Sequence, residues 1–523
     1  MLGAQALGLA PAASTPGLLI QPGLGVQELV TDNVYQVSRP RTADLVTTIS
    51  PSILIGADTQ RVQASIAYAP NIQLYAVTGQ QDQIDHELNA QATVTLVPDW
   101  LFLDLRGFAT QQAGNGGFGS SGTAYYSQQN RNQTTSFSIS PTVVHRIGDL
   151  LQMRAGYALD YVDQSGNPDY GPLGTAGFDG LTAAQLAALQ QAGLLPSFTG
   201  NTTLSHREFL TLSTTPALGR ISSTLQLTGE QDSGTGVLDG AYRYEAVDDV
   251  AYALTRFVAV LGRFGYQDLR YAGLPPVQVN QAVWAGGLRL TPNPSSAVVV
   301  RYGHQDGFDS LFLNATYALT ARTRVFAGYS EGLTTDQEQI ADNLADSTVD
   351  ASGVSLDSQT AAPLQLSDDL LGYQNSLYHL RRFSATSVTS YDLDAFSLSV
   401  LHEKRTLVSS GIGYAGYSDE GTSGTLGWSH QINETTSSFA SFEYGVHSYG
   451  SGGVAGTTAA ALGTTAGAVL GSQQVLTLSG SVSHNFSPSL IGTVQYIFTN
   501  RPTSGQTQGF LQNILLAGLR KTF

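Results

Sequence analysis

The most regular feature of the chain is an alternation of apolar and polar residues in windows of about 10 to 14 residues, which is the period of a β-strand. In one such window Leu476, Leu478 and Val482 alternate with serine and threonine. About 22 windows of this kind follow one another, and the alternation is weakest in 376–390 and 416–430. Strands of this length would fill roughly half of the chain, about twice the strand content of an ordinary globular domain.

The links between these windows alternate between short and long. Short turns occur at 97–100, 147–150, 217–220, 291–294, 320–323, 391–394, 432–435 and 486–490, and long links lie near 113–133, 163–202, 335–375 and 449–472. Loops of roughly 20 to 40 residues are rare in compact soluble domains, but barrels of the outer membrane combine tight periplasmic turns with long outer loops. The pattern predicts an all-β fold. The predicted fold is a transmembrane antiparallel up-and-down β-barrel of about 22 strands (range about 18–24) in the bacterial outer membrane. We expect long extracellular loops and short periplasmic turns.

The first 25 residues are set apart from the predicted barrel. They are small and apolar, and Ala4-Gln-Ala6 and Ala10-Pro-Ala12 have the small-x-small form that signal peptidase cuts. Residues 1–25 are interpreted as the remainder of a secretory signal, with an ordinary flexible N-terminus as the alternative. Residues 26–523 are predicted to form a single barrel domain.

Composition narrows the classes of protein that fit. The 523 residues include 57 glycines and no cysteine, 12% are charged, and the formal net charge is −16. Without cysteine, a disulfide scaffold, a zinc ribbon and a thiol nucleophile are excluded. A negative charge has the wrong sign for coating nucleic acid. The expected partners are outer-membrane lipid and lipopolysaccharide, with the barrel-assembly machinery.

The last predicted strand carries a candidate assembly signal. Leu515, Ala517 and Leu519 alternate toward a terminal Phe523, which is how outer-membrane barrels typically end. Lys521 departs from this pattern, because an apolar or aromatic residue is usual at that position.

Three short motifs near the start of the barrel carry a family resemblance. They are Thr31-Asp32-Asn33, Ser50-Pro51 and Tyr68-Ala-Pro70. This opening resembles the β-barrel porin families of Proteobacteria that are associated with exopolysaccharide or exosortase systems. The resemblance covers about the first 60 residues of the barrel. It implies an outer-membrane barrel near an export system, with periplasmic export components as possible partners, and it supplies no catalytic residues.

The sequence predicts no catalytic site, no cofactor site and no metal site. The chain is not expected to be an enzyme. The nine histidines are scattered without metal-ligand spacing. His402 and Glu403 are adjacent on a predicted strand, so their side chains point to opposite faces. The acidic segment 336–350 is interpreted as a solvated external loop, with divalent-cation binding as the alternative.

The polar faces of the strands supply candidate lumen-lining residues. They are Asp104, Arg106, Arg154, Asp160, Arg263, Arg289, Arg301, Glu403, Arg405 and Glu443. Their mixed charges, together with Ser, Thr, Gln and Asn, favour a channel for neutral, hydroxyl-rich solutes such as exopolysaccharide. The alternative is that these residues form salt bridges that fill and stiffen the barrel.

Two further hypotheses concern the loops. A non-transporting surface anchor or assembly scaffold would act through its extracellular loops, and an outer-membrane enzyme is a third, less favoured reading. Residues 181–193 of the long link 163–202 have helical composition, with Thr182 and Gly193 as caps. This helix is expected to lie against the barrel mouth or in the lumen, or else to pack on neighbouring outer loops.

Overall fold

A computed structural model describes residues 17–113, 131–166, 201–349, 355–357, 370–372, 374–411, 418–449, 471–503 and 509–523. The first half of the barrel consists of β1 (Gly17–Thr31), β2 (Asp44–Asp58), β3 (Val62–Tyr75), β4 (Gln83–Val97), β5 (Leu101–Ala113), β6 (Arg131–Ile147), β7 (Leu151–Gly166), β8 (Asn201–Thr214), β9 (Ile221–Gly234), β10 (Tyr242–Ala253), β11 (Val258–Tyr271) and β12 (Val277–Asn293). The second half consists of β13 (Ser296–Gln305), β14 (Phe308–Ala318), β15 (Thr323–Thr334), β18 (Ser376–Ser390), β19 (Asp394–Ser410), β20 (Asp419–Asn433), β21 (Thr436–Tyr449), β22 (Gly471–Ser487), β23 (Leu490–Arg501) and β24 (Phe510–Thr522). The link between β15 and β18 contains the helix α1 (Asp336–Asp346) and a small hairpin of β16 (Ser347–Val349) and β17 (Ser355–Asp357). Single 3₁₀ turns occupy Gly79–Gln81, Pro216–Leu218 and Gly236–Leu238.

The 22 long strands form one closed antiparallel sheet. Each strand pairs with its neighbours in sequence, and β15 pairs with β18 across the α1 link. β1 closes the barrel on β24 in a register that runs from Gly23↔Thr522 to Thr31↔Ile514. Closure pairs the backbone groups that an open edge would leave exposed to lipid. The predicted fold class and the strand number are both confirmed.

The two rims of the barrel differ in their links. Turns of two residues at 294–295, 434–435 and 488–489 lie on one rim. The strand ends that the long links join, at Ala113 and Arg131, Gly166 and Asn201, and Thr334 and Ser376, lie on the other. Short turns mark the periplasmic rim of such barrels and long links the extracellular one.

The two faces of the wall differ as the alternation predicts. Large apolar side chains are exposed on the outer face, for example Leu398, Leu426, Phe442 and Val494. The residues between them, such as Ser399 and Ser441, point to the interior. An apolar outer band around a polar interior is the arrangement that a bilayer requires of a barrel, and the chain is an outer-membrane barrel.

The barrel starts earlier than the sequence predicts. β1 begins at Gly17 and pairs with β2 over its whole length, from Gly17↔Asp58 to Thr31↔Asp44, so the expected boundary between residues 25 and 26 is wrong. Pro22, Gly23 and Gly25 resemble strand breakers in the sequence, but pairing with β2 compensates for their low strand propensity. The predicted helix 181–193 lies outside the described residues. No helix in the described part of the chain is both long and apolar enough to span a membrane.

Candidate functional site in the barrel lumen

The link between β15 and β18 folds into a helix inside the barrel. Thr335 caps α1 by accepting a hydrogen bond from the Glu338 backbone N–H at 3.2 Å, and the Glu338 carboxylate accepts one in return from the Thr335 N–H at 2.8 Å. This reciprocal capping box satisfies two amide groups at the start of the helix. The acidic residues of the first turn, Asp336 and Glu338, also match the positive end of the helix dipole.

The N-terminal end of α1 is fixed to strands β19 and β20 by a buried arginine. The Arg405 guanidinium donates to Asp336 at 3.2 Å, and to Asp419 of β20 through Nε at 2.8 Å. It also donates to the carbonyl oxygens of Leu371 and Gly372 at 2.9 and 2.8 Å. The Arg405 side chain is fully buried, so these acceptors replace all the water that the charge would otherwise bind.

The middle of α1 rests on the wall that runs from β7 to β11. Ile340 and Ala341 are buried against Val162 of β7. Tyr271, the last residue of β11, donates a hydrogen bond to Glu338 at 2.6 Å. This apolar contact and the tyrosine give the helix the tertiary support that a single three-turn helix lacks in water. Asp342 pairs with Arg207 of β8 at 2.8 Å.

The C-terminal end of α1 is held by Arg106 of β5. Its guanidinium donates to the Leu344 carbonyl at 2.8 Å and to the Ser347 carbonyl, while its Nε pairs with Asp104 at 2.6 Å. A cation at the negative end of a helix is favourable, and it satisfies carbonyl groups that the last turn leaves without an intrahelical partner.

These anchors show that α1 crosses the lumen. Between β5 and β19, eleven barrel strands (β6–β15 and β18) lie on one side and nine (β20–β24 and β1–β4) on the other. The two anchoring strands are therefore almost opposite. The expectation that 336–350 is a solvated external loop is wrong for the helical part, because its acidic residues pair with arginines of the wall. We call α1 with its two anchors the cross-lumen helix.

The charge of Glu338 is perturbed by its position. Burial raises the pKa of this carboxyl to about 7, although Arg243 of β10 opposes the rise. Arg243 itself pairs with Asp306 at 2.9 Å and donates to the Tyr271 hydroxyl at 3.0 Å. Glu338 therefore titrates near neutral pH while the helix is docked.

The ten residues predicted from the sequence occupy inward-facing positions, but they do not form one site. Arg106 and Arg405 anchor α1, Asp104 pairs with Arg106, and Asp160 lies 3.9 Å from Arg207. Arg263 and Arg301 pair with Asp249 at 2.7 and 3.3 Å, Glu403 pairs with Arg382 at 2.8 Å, and Arg154 lies 5.6 Å from the ring centre of Phe209. Arg289 lies on β12 between Arg263 and Arg301, and Glu443 on β21. Asp160, Glu403, Arg405 and Glu443 are at most 5% exposed, so these four make contacts within the protein.

Several residues of the site escaped sequence reasoning. Arg207 and Tyr271 contact α1, and Arg243 contacts Tyr271. Thr335-Asp-Gln-Glu338 is a capping-box signature that could have revealed the helix. The sequence holds no signal for Arg207 and Arg243, because their partners Asp342 and Asp306 are 135 and 63 residues away.

The candidate assembly residues lie on the closing strand. Leu515 and Leu519 are exposed on the outer face, and Ala517 shares that face because it is two residues from each of them. The Phe523 ring is also exposed, and its N–H donates to the Pro22 carbonyl of β1 at 2.9 Å. A role in assembly stays a prediction. Within the described residues, no group of three or more His, Asp or Glu side chains is placed to hold a metal ion.

Comparisons with known proteins show the fold. No family model matches the sequence, and no curated protein matches it, so the resemblance to the exopolysaccharide-associated porins has no support there. Among solved structures, the apoprotein of the FrpB iron transporter (F5-1 variant) from Neisseria meningitidis has a TM-score of 0.51 and 10% identity over 99% of this chain and 83% of its own. The siderophore receptor PirA from Acinetobacter baumannii has a TM-score of 0.50 and 8% identity over 97% of this chain and 81% of its own.

Proposed function

We propose that the protein is an outer-membrane channel that passes hydrophilic solutes through a lumen narrowed by the cross-lumen helix. The observation that carries this proposal is the attachment of α1 to nearly opposite walls, through Arg405 at one end and Arg106 at the other. A segment held across the interior would limit the size of what can pass.

The inner wall from β19 to β23 favours neutral, hydroxyl-rich solutes. Its inward-facing residues include Ser397, Ser399, Ser423, Thr425, Ser441, Thr477, Ser479, Ser481 and Thr493. Hydroxyl groups both donate and accept hydrogen bonds, so they exchange readily with the hydroxyls of a passing saccharide. Exopolysaccharide is one cargo of this class, and its only support is the short resemblance near the N-terminus. The barrel architecture shared with the FrpB iron transporter supports transport and identifies no cargo.

Single-channel conductance in planar bilayers tests the proposal. The wild-type protein is compared with a variant in which residues 336–346 are replaced by a Gly/Ser linker, and with Arg322→Ala, an exposed turn residue, as the control. Removing the helix should raise the conductance and increase the size of polyethylene glycol that blocks the pore, while Arg322→Ala should behave as wild type.

The alternative is a barrel that acts as a surface anchor or scaffold. In that case neither the wild-type protein nor the linker variant conducts ions, although both migrate as folded barrels on gels without boiling. That result would remove the channel function.

A further inference from the structure

Three arginines share one patch of the inner wall on β11, β12 and β13. Arg263 and Arg301 each lie five residues from the periplasmic start of their strands, and Arg289 lies four residues from the periplasmic end of β12. Ala285 pairs with Arg263, and Gly287 pairs with Arg301. Ala285, Gly287 and Arg289 are two residues apart along β12 and therefore share one face. Directly paired residues of neighbouring strands also share a face, so all three arginines lie on the same face.

The face that carries them is the lumen face. Trp284 and Leu288 occupy the other face of β12 and are 50% and 46% exposed on the lipid side. Between Arg263 and Arg301 the inward positions of β12 are Ala285 and Gly287, so no large side chain separates these two guanidinium groups. Leu261 lies on the same face beside Arg263 and pairs with Gly287. Arg263 and Arg301 keep 22% and 25% of their side chains exposed.

Positive charge exceeds negative charge in this patch. Asp249 of β10 is the carboxylate that pairs with these arginines. It accepts hydrogen bonds from Arg263 at 2.9 and 2.7 Å and from Arg301 at 3.3 Å. Glu245, further along β10, acts on Arg263 electrostatically, and counting it still leaves three cations against two anions. Arg289 has no ion-pair partner among the described residues, and the Nε of Arg301 is buried without a hydrogen-bond partner.

The patch contrasts with the arginines around α1. There, Arg207 faces Asp160, Glu230 and Asp342, and Arg405 faces Asp336 and Asp419. Carboxylates outnumber arginines in those contacts, which hold the fold together. The β11–β13 patch has guanidinium donors left over and open to the lumen.

We propose that Arg263, Arg289 and Arg301 form an anion-binding subsite that takes the carboxylate or phosphate group of a solute in the lumen. Guanidinium groups bind both anions through paired, charge-assisted hydrogen bonds. Asp249 holds Arg263 and Arg301 in place and competes with the anion. The role in transport rests on the proposed channel function, and it narrows the solutes to hydroxyl-rich molecules that bear an anionic group.

Calorimetric titration of the detergent-solubilised protein at low salt tests the subsite directly. Inorganic phosphate and citrate are the two probes, so that the affinities for a phosphate and for a carboxylate are measured separately. Arg289→Gln should weaken binding of the preferred probe roughly three- to tenfold. Asp249→Asn should strengthen it by a similar factor, because it removes the competing carboxylate. Arg154→Gln, an inward-facing arginine on β7, is the matched control and should stay within about twofold of wild type.

The outcomes separate the subsite from the channel. Equal affinities for wild type and Arg289→Gln, or weaker binding in a folded Asp249→Asn variant, would overturn the subsite. Loss of affinity in Arg154→Gln equal to that in Arg289→Gln would also overturn it, because binding would then reflect net lumen charge. Binding with the expected order in a barrel that does not conduct would support the subsite and refute the channel.

Discussion

Replacing Arg405 with alanine removes the guanidinium that joins the start of α1 to the wall. The variant loses hydrogen bonds to Asp419, to Asp336 and to two carbonyl groups. The larger effect is that Asp419 keeps its charge in a buried place without its main partner. Breaking a buried ion pair in this way typically costs about 3 to 5 kcal/mol. His447 lies 3.5 Å from Asp419, and a loss of about 3 kcal/mol, the lower end of this range, is expected.

Equilibrium urea unfolding in lipid vesicles, followed by tryptophan fluorescence, measures this loss. The control is Arg322→Ala, whose pair with Asp392 is 3.7 Å long and exposed on both sides. Exposed pairs contribute about 0 to 1 kcal/mol. The double variant Arg405→Ala/Asp419→Asn should recover part of the loss, because no unpaired charge is then buried.

Two results would refute this reasoning. If Arg405→Ala is no more destabilising than Arg322→Ala, Arg405 does not hold a buried pair. If the double variant is less stable than Arg405→Ala, the cost does not come from an uncompensated carboxylate. A higher conductance of Arg405→Ala would show, in addition, that the released end of α1 leaves the pore.

Three further predictions concern the two ends of α1 and the C-terminal residue. Arg106→Ala should raise the conductance, because it frees the C-terminal end of α1, and unchanged single-channel currents would contradict this. Since the pKa of Glu338 is about 7 in the folded protein and 4.5 is its ordinary value, the contribution of Glu338 to the stability of the docked helix should be greatest below pH 4.5 and be lost as the pH rises through 7. Urea unfolding of wild type and Glu338→Gln across this range should show a smaller pH dependence in the variant, and identical slopes would exclude Glu338 as the titrating group. Deleting Phe523 should reduce the amount of barrel inserted into the outer membrane at unchanged synthesis, as measured by fractionation, and normal insertion would show that Leu515, Ala517 and Leu519 suffice.

The strands could be predicted because lipid on one side and water on the other impose the alternation locally. Even the weakly alternating segment 376–390 coincides with β18 (Ser376–Ser390). The start of β1 was missed, since its glycines and Pro22 carry no strand signal of their own and are ordered by the register with β2. Local composition therefore locates strands well and misjudges an end that is fixed by pairing.

The cross-lumen helix shows where sequence reasoning stops. Its acidic residues look like a solvated surface when they are considered alone, because nothing nearby in the chain neutralises them. Their partners Arg207 and Arg405 come from distant strands, and only closure of the sheet brings these together. Arg263, Arg289 and Arg301 could be assigned to the lumen from alternation, but their grouping depends on the registers of β11 to β13.

The pairing of β1 with β24 also has a kinetic consequence. Gly23 meets Thr522 in this seam, so the strand pairing of greatest sequence separation among the described strands is the one that completes the sheet. Contacts of this kind form slowly, because the entropy of closing a long loop is lost before the contact is made. Until the seam forms, the sheet has two unpaired edges that can join with other chains. Productive assembly therefore depends on keeping those two edges protected until they meet each other.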